Sequence, residues 1–97
     1  MPGALRYVLA PSRPNPASLA TMLSFELPMR DEVSLCIYDV AGRMVRSLVA
    51  GPTAAGRHTV VWNGADDAGR AVNAGVYCYR LATPRFSAAR KMLLVGR

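Results

Sequence analysis

The side chains able to carry chemistry are few and poorly placed for it. His58 is the only histidine, the cysteines Cys36 and Cys78 stand 42 residues apart, and the six acids are Glu26, Asp31, Glu32, Asp39, Asp66 and Asp67. A nucleophilic site needs a Ser or Cys within reach of a base that an acid orients. His58 has no such partner at a recognisable spacing, and neither a G-x-S-x-G elbow nor a phosphate-gripping glycine loop is present. Zinc needs three or four close nitrogen and sulfur ligands, and two cysteines without a C-x-x-C pair plus one histidine do not supply them. Asp66 and Asp67 share a glycine-rich stretch with Asn63, the nearest approach to a calcium set. The D-x-D-x-D spacing of a calcium loop is missing, so these read as turn-forming acids. Glu26 and Asp39 are far apart and form no paired-carboxylate cleft. The expectation is a non-enzyme with no cofactor and no metal.

Charge narrows the choice of partners. Eleven Arg and one Lys against six acids give a formal net charge of +6. A basic domain invites a nucleic-acid reading. Here Arg6, Arg13, Arg30, Arg43, Arg46, Arg57, Arg70, Arg80, Arg85, Arg90 and Arg97 are scattered singly. The densest basic pair, Arg90-Lys91, has no accompanying series of aromatics for base stacking. The arginines read as a solvated surface, with no nucleic acid as partner.

Elements must hold whatever these residues do, and 97 residues suffice for one domain. The chain is 52% hydrophobic and 19% charged, which excludes a disordered tail. Fifteen of the apolar residues are alanine, so much of that content is small. No apolar run is long enough to cross a bilayer as a helix, and no direct membrane insertion is expected. Met1 is not followed by a secretory leader pattern, so the chain reads as either intracellular or a fragment of something longer.

Helical periodicity is nearly absent, and alternation is plain. Thr21–Leu27 places Leu23, Phe25 and Leu27 on one face. Glu32–Val40 does the same with Val33, Leu35 and Ile37, leaving Ser34 and Cys36 opposite. Arg57–Trp62 alternates His58, Val60 and Trp62 against Thr59 and Val61. Gly75–Leu81 groups Tyr77, Tyr79 and Leu81 against Cys78 and Arg80. Arg90–Val95 is a closing strand, and Leu5–Leu9 and Met44–Val49 are shorter candidates. About seven short strands predict an all-β, immunoglobulin/fibronectin type III-like antiparallel sandwich, a single domain over 1–97 with its core at about 5–96.

The turn residues agree. Asp39-Val-Ala-Gly-Arg43 reads as a hairpin with Gly42 at the position needing positive φ, joining the Ile37 strand to the Met44 strand. Asp66-Asp-Ala-Gly-Arg70 repeats that turn chemistry, with Gly69 in the same role. Their flanks do not match, so this is not a structural repeat. Gly51-Pro52 and Ala55-Gly56 punctuate the approach to the Trp62 strand, and Asn73-Ala-Gly75 leads into the tyrosine strand. Pro11, Pro14 and Pro16 keep the first segment extended and out of any central strand.

Taken in order, these segments resemble a known family. Val33-Ser-Leu-Cys-Ile-Tyr-Asp-Val-Ala-Gly-Arg-Met-Val45 is similar to a V-x-L-x-I-Y-D-x-x-G-R-x-V signature. Ala55-Gly-Arg-His-Thr-Val-Val-Trp-Asn-Gly64, followed by Gly75-Val-Tyr-Cys-Tyr-Arg-Leu81, is similar to A-G-x-H-x-x-x-W-D-G and G-x-Y-x-Y-R-L. Pro14-Asn15-Pro16 resembles a P-N-P opening, and Lys91-Met-Leu-Leu-Val95 a K-M-x-L/V ending. The family is the type A C-terminal sorting domain of type IX secretion cargo, closely related to the immunoglobulin-like domain of the flagellar hook-capping protein. Two departures stand out: Ala17-Ser18 where the family often has Phe-Asn, and Asn63 where it prefers Asp. Asn keeps the side-chain-to-backbone turn bond, so the fold should survive.

The resemblance implies a module at the C-terminal end of a secreted protein, which reaches the exterior or the cell surface through the periplasm of a Gram-negative-type bacterium. Its partners would be the outer-membrane secretion machinery and a sortase-like peptidase. The residues expected to meet a receptor are those of the closing strand, Arg90, Lys91, Met92, Leu93, Leu94 and Val95, at or near a sheet edge. Asn15, Pro16, Tyr38, Asp39, Gly42, Trp62, Gly64, Gly69, Gly75 and Tyr77 would hold the framework. The alternative is a structural domain of a hook-capping or cell-surface assembly, packing against copies of itself. A third reading, a carbohydrate platform on Trp62 and Tyr38, trails because Trp62 shares a face with Val60 and reads as core. Cys36 and Cys78 fall on the outer face of adjacent strands and read as free, half-exposed thiols, with a disulfide between them left open.

Overall fold

A computed structural model describes residues 4–95. Seven strands follow in order: β1 (Val8–Leu9), β2 (Thr21–Leu27), β3 (Asp31–Tyr38), β4 (Met44–Thr53), β5 (Gly56–Trp62), β6 (Gly75–Ala82) and β7 (Ser87–Leu94). They form two antiparallel sheets, β1-β2-β5 stacked on β4-β3-β6-β7. The seven-strand, immunoglobulin-like sandwich is what the alternation predicts. Gly96 and Arg97, at the end of the expected core and of the arginine series, lie outside the described residues.

Alternation builds the interior. Leu23, Phe25 and Leu27 of β2, with Trp62 of β5, face Val33, Leu35 and Ile37 of β3, Tyr77, Tyr79 and Leu81 of β6, and Met92 and Leu94 of β7. Each is under a tenth exposed, so both inner faces are dry. A period of two leaves one face of each sheet to water, and burying the other supplies the main driving force. The tyrosine hydroxyls reach acceptors at the rim: Tyr77 donates to the Asn73 carbonyl at 2.6 Å and Tyr79 to that of Ala10 at 2.7 Å.

The strand limits differ from the sequence reading at several ends: β3 stops at Tyr38 and not Val40, β7 begins at Ser87 and not Arg90, and β4 and β1 differ most. β4 runs on through Gly51-Pro52 to Thr53, because an edge strand tolerates a proline whose missing N–H would face outward. Its register against β3 also slips twice. Leu35 pairs with Val49 and Cys36 with Ser47; Ile37 pairs with Arg46 and Tyr38 with Met44. Leu48 and Val45 are thus unopposed, and both turn against the core with Val49. β1 is only two residues long. Its neighbours follow β2 without joining its ladder as a strand: Ala10 N–H bonds the Ser24 carbonyl, and Arg13 exchanges two main-chain bonds with Met22.

A buried acid ties the start of the chain to this frame. Asp31, 6% exposed, accepts hydrogen bonds from the Tyr7 hydroxyl at 2.7 Å, the Arg85 guanidinium at 3.0 Å and its neighbouring Glu32 N–H at 3.0 Å. Tyr7 stacks on Phe86 with ring centroids 5.0 Å apart. The residues before β1 are in this way fastened to the start of β3 and the β6–β7 turn.

Candidate interaction surface

The closing strand lies at a sheet edge, as expected, but most of it is already engaged. Met92 and Leu94 are core residues. Arg90 pairs with Tyr79 on the inward side, and its Nε donates to the Leu9 carbonyl at 2.6 Å, bracing one sheet against the other. The Pro-Asn-Pro opening then covers the end of the edge. Asn15 Oδ1 accepts the Leu93 N–H at 2.9 Å, Ala17 N–H donates to the Leu93 carbonyl at 2.9 Å, and Val95 N–H donates to the Ala17 carbonyl at 2.8 Å. Ala17 is buried here, so the small residue that departs from the family pattern is seated by its main chain.

This corrects the six-residue stretch drawn from sequence. The buried side chains of Met92 and Leu94 are out of a receptor's reach, and Arg90 serves the fold. Lys91 is exposed on the outer face opposite Cys78, beside an open hollow of about 320 Å³ lined by Asp39, Val40, Val76, Tyr77, Cys78 and Lys91. Leu93 and Val95 expose part of their side chains on the same flank. Since Leu93 and Val95 aim their amides away from β6, strand alternation aims those of Ala89 and Lys91 the same way. These two find no main-chain partner among the described residues.

The two D-x-x-G-R segments fold alike. Asp39 Oδ1 accepts the N–H groups of Ala41 and Arg43 at 2.9 and 3.0 Å, while Asp66 Oδ1 accepts those of Ala68 and Arg70 at 3.0 and 2.9 Å. Gly42 and Gly69 take φ of +80° and +83°. Hydrogen bonds from Arg43 and Ala41, with the nearby Arg43 charge, hold the Asp39 carboxyl below its ordinary range. An open cleft of about 400 Å³ separates the turns, lined in part by Asp39, Arg43, Asp66 and Asp67. Asp39 and Asp66 are committed to the turns, and Asp67 to the edge of β4, where its N–H donates to the Val45 carbonyl and its Oδ1 accepts the Ser47 N–H. Around either glycine an added Cβ would meet nothing within 4 Å. Gly42→Ala and Gly69→Ala should therefore each cost only the left-handed strain, about 1 kcal/mol, and by similar amounts in urea unfolding.

The other singled-out residues settle as framework. Trp62 is 1% exposed, and its Nε1 donates to the Ala65 carbonyl at 2.8 Å, so it offers no stacking platform. Asn63 Oδ1 accepts the Ala65 N–H at 3.1 Å, the turn bond expected of it, and Gly64 follows at φ +75°. His58 bonds the Ala54 carbonyl at 2.8 Å and stacks on Phe25. Cys36 and Cys78 are free thiols on neighbouring strands, but Cys36 is buried and not half-exposed. It lies on the central strand, flanked by Tyr38 and by Ser34, whose Oγ is 3.4 Å from its Sγ. Burial raises the Tyr38 hydroxyl above its ordinary pKa.

Comparison with known proteins fits this frame. The family model described as the FlgD Ig-like domain matches residues 19–85, from just before β2 to the β6–β7 turn. The chain belongs to the FlgD Ig-like domain family. No curated protein matches it in sequence. Among solved structures, latent dimeric PorU from Porphyromonas gingivalis superposes with TM-score 0.75 at 23% identity, over 100% of this chain and 10% of that one. PorZ, an essential surface component of the type-IX secretion system of the same bacterium, gives 0.57 at 21% identity over 90% and 11%. FlgD from P. aeruginosa gives 0.60 at 23% identity over 94% and 74%. At these identities the likeness is one of fold. This FlgD Ig-like domain spans about a tenth of PorU or PorZ.

Proposed function

We propose that the domain is a non-catalytic C-terminal sorting module that directs an upstream cargo through type IX secretion to the outside or the cell surface. The observation that carries the reading is the superposition of the whole chain on a tenth-length portion of PorU, joined by that on PorZ. The Pro-Asn-Pro clamp on β7 supports it as well. By fixing Leu93 and Val95, the clamp leaves Ala89 and Lys91 as the part of the edge open to a partner's backbone, with a cation beside it. The partners are the outer-membrane machinery and a sortase-like peptidase.

A reporter fused ahead of residue 1 tests this in a bacterium that has the machinery. The reporter should appear outside the cell, and Lys91→Glu, with its circular dichroism unchanged, should cut export several-fold. A fusion that stays in the periplasm overturns the reading. Removing Lys91 onward is a poorer test, because it also takes Met92 and Leu94 from the core.

A second reading, a structural assembly domain, is favoured by the family itself and by the match over 74% of FlgD. The reporter fusion remaining unexported while the domain self-associates would favour it.

A further inference from the structure

Two sheets have four edges, and three of them take at least one hydrogen bond from elsewhere in the chain, although β7 stays open at Ala89 and Lys91. The edge of β4 is bonded by Asp67, that of β7 by Asn15 and Ala17, and β1 receives Arg90 at its Leu9 carbonyl. β5 is different. Met22 and Ser24 direct main-chain groups toward residues 10–13, so the other residues of β2 (Thr21, Leu23, Phe25 and Leu27) bond to Trp62, Val60, His58 and Gly56. The amides and carbonyls of Arg57, Thr59 and Val61 therefore point away from the sheet. Among the described residues no main-chain or side-chain group meets them. β5 is seven residues long and without a bulge in its register. Such an edge is a template for strand addition.

We infer that this edge pairs with the same edge of a second copy of the chain, antiparallel about a two-fold axis at Thr59. The charges choose this occupant. Arg57 is the one ion on the edge and already lies 3.1 Å from Glu26, so the edge carries no run of positive charge that would select an acidic peptide. Centring the pair on Thr59 sets Arg57 opposite Val61 of the second copy. The two Arg57 side chains then lie four residues apart, roughly 13 Å, beyond the screening length of physiological salt. Each outer row reads Met22, Val61, Arg57, Glu26 across the junction, so the Arg stem covers apolar groups that are otherwise about half exposed. The central row continues the Ser24–Thr59 hydroxyl contact of 3.1 Å into its symmetry mate. The result is a six-stranded sheet closed by the axis, an isologous contact. About six main-chain hydrogen bonds and little area make a weak dimer.

The proposal rests on β5 alone and stands apart from the export reading. Sedimentation equilibrium of the purified chain, from about 10 μM to about 1 mM, should show a monomer–dimer equilibrium. Val61→Glu places a carboxylate opposite each Arg57 and should tighten the dimer roughly tenfold, whereas Val61→Lys should loosen it by a similar factor. Thr59→Pro removes an outward N–H and one exposed hydroxyl contact but no β2–β5 ladder bond, so the ladder and the far-ultraviolet circular dichroism should persist while the dimer is lost. A monomer throughout the range overturns the proposal. So does association that the two Val61 variants move in the same direction or leave unchanged.

Discussion

Trp62→Ala should remove most of the domain's stability. The indole is fully enclosed, meets Tyr77 edge-on with ring centroids 5.4 Å apart, and supplies the N–H that satisfies the Ala65 carbonyl. Truncating a buried tryptophan costs about 3–5 kcal/mol through lost transfer energy and the cavity left behind. A domain of this size has about 5–15 kcal/mol in all. The melting temperature should fall by about 20 °C or more, or the variant should not fold at 37 °C. Trp62→Phe separates the contributions. It keeps most of the buried area and strands one carbonyl, so it should cost about 1–3 kcal/mol. Val40→Ala, at a hairpin position 83% exposed, should change stability by less than about 0.5 kcal/mol. Equal losses at Trp62 and Val40 in denaturant titrations would contradict the packing described.

The strands with a clean period of two were readable because one face of each is dry and the other wet, and nothing intervenes. Thr21–Leu27 has the predicted limits, and Gly75 begins β6 as expected. The turns were readable for a chemical reason: Asp accepts N–H groups of the following residues, while Gly supplies positive φ three residues on. β4 was not readable past Val49, since two bulges direct Val45 and Leu48 inward out of phase and Pro52 looks like a stop. The closing strand shows a different limit. Sequence placed it at an edge, but that Asn15 and Ala17 would occupy part of that edge depends on contacts 78 residues apart. No local pattern signals such a bond. The same holds for Cys36, whose burial on the outer face depends on what lies across the neighbouring strands. The free edge of β5 lay equally outside the pattern, because alternation reports which face is dry and not which strand is last.

Acid should loosen the domain, with Asp31 as the sensitive point. Three carboxyls titrate below their ordinary values in the folded chain. Asp31 is lowered first by the Tyr7 hydroxyl, Glu26 by the Arg6 N–H and then Arg57, and Asp39 by the Arg43 and Ala41 N–H groups. A carboxyl lowered on folding contributes stability that is complete above its unfolded pKa and lost as pH falls through the folded one. The loss should therefore begin below about pH 4 and deepen with further acid. Asp31 couples three segments at once, because protonation weakens its bonds to Tyr7, Glu32 N–H and Arg85 together. Asp31→Asn should lower the melting temperature at pH 7 and flatten its further decline between about pH 5 and pH 2. The Tyr7–Phe86 stack should loosen with it, releasing the chain ahead of β1 before the sheets part. Hydrogen exchange at pH 3 checks the order: the N–H groups of Arg6 and Tyr7, ahead of β1, should exchange faster than those of β3 and β6. A melting curve for Asp31→Asn as steep in pH as that of the parent chain would place the acid sensitivity elsewhere, at Glu26 or Asp39.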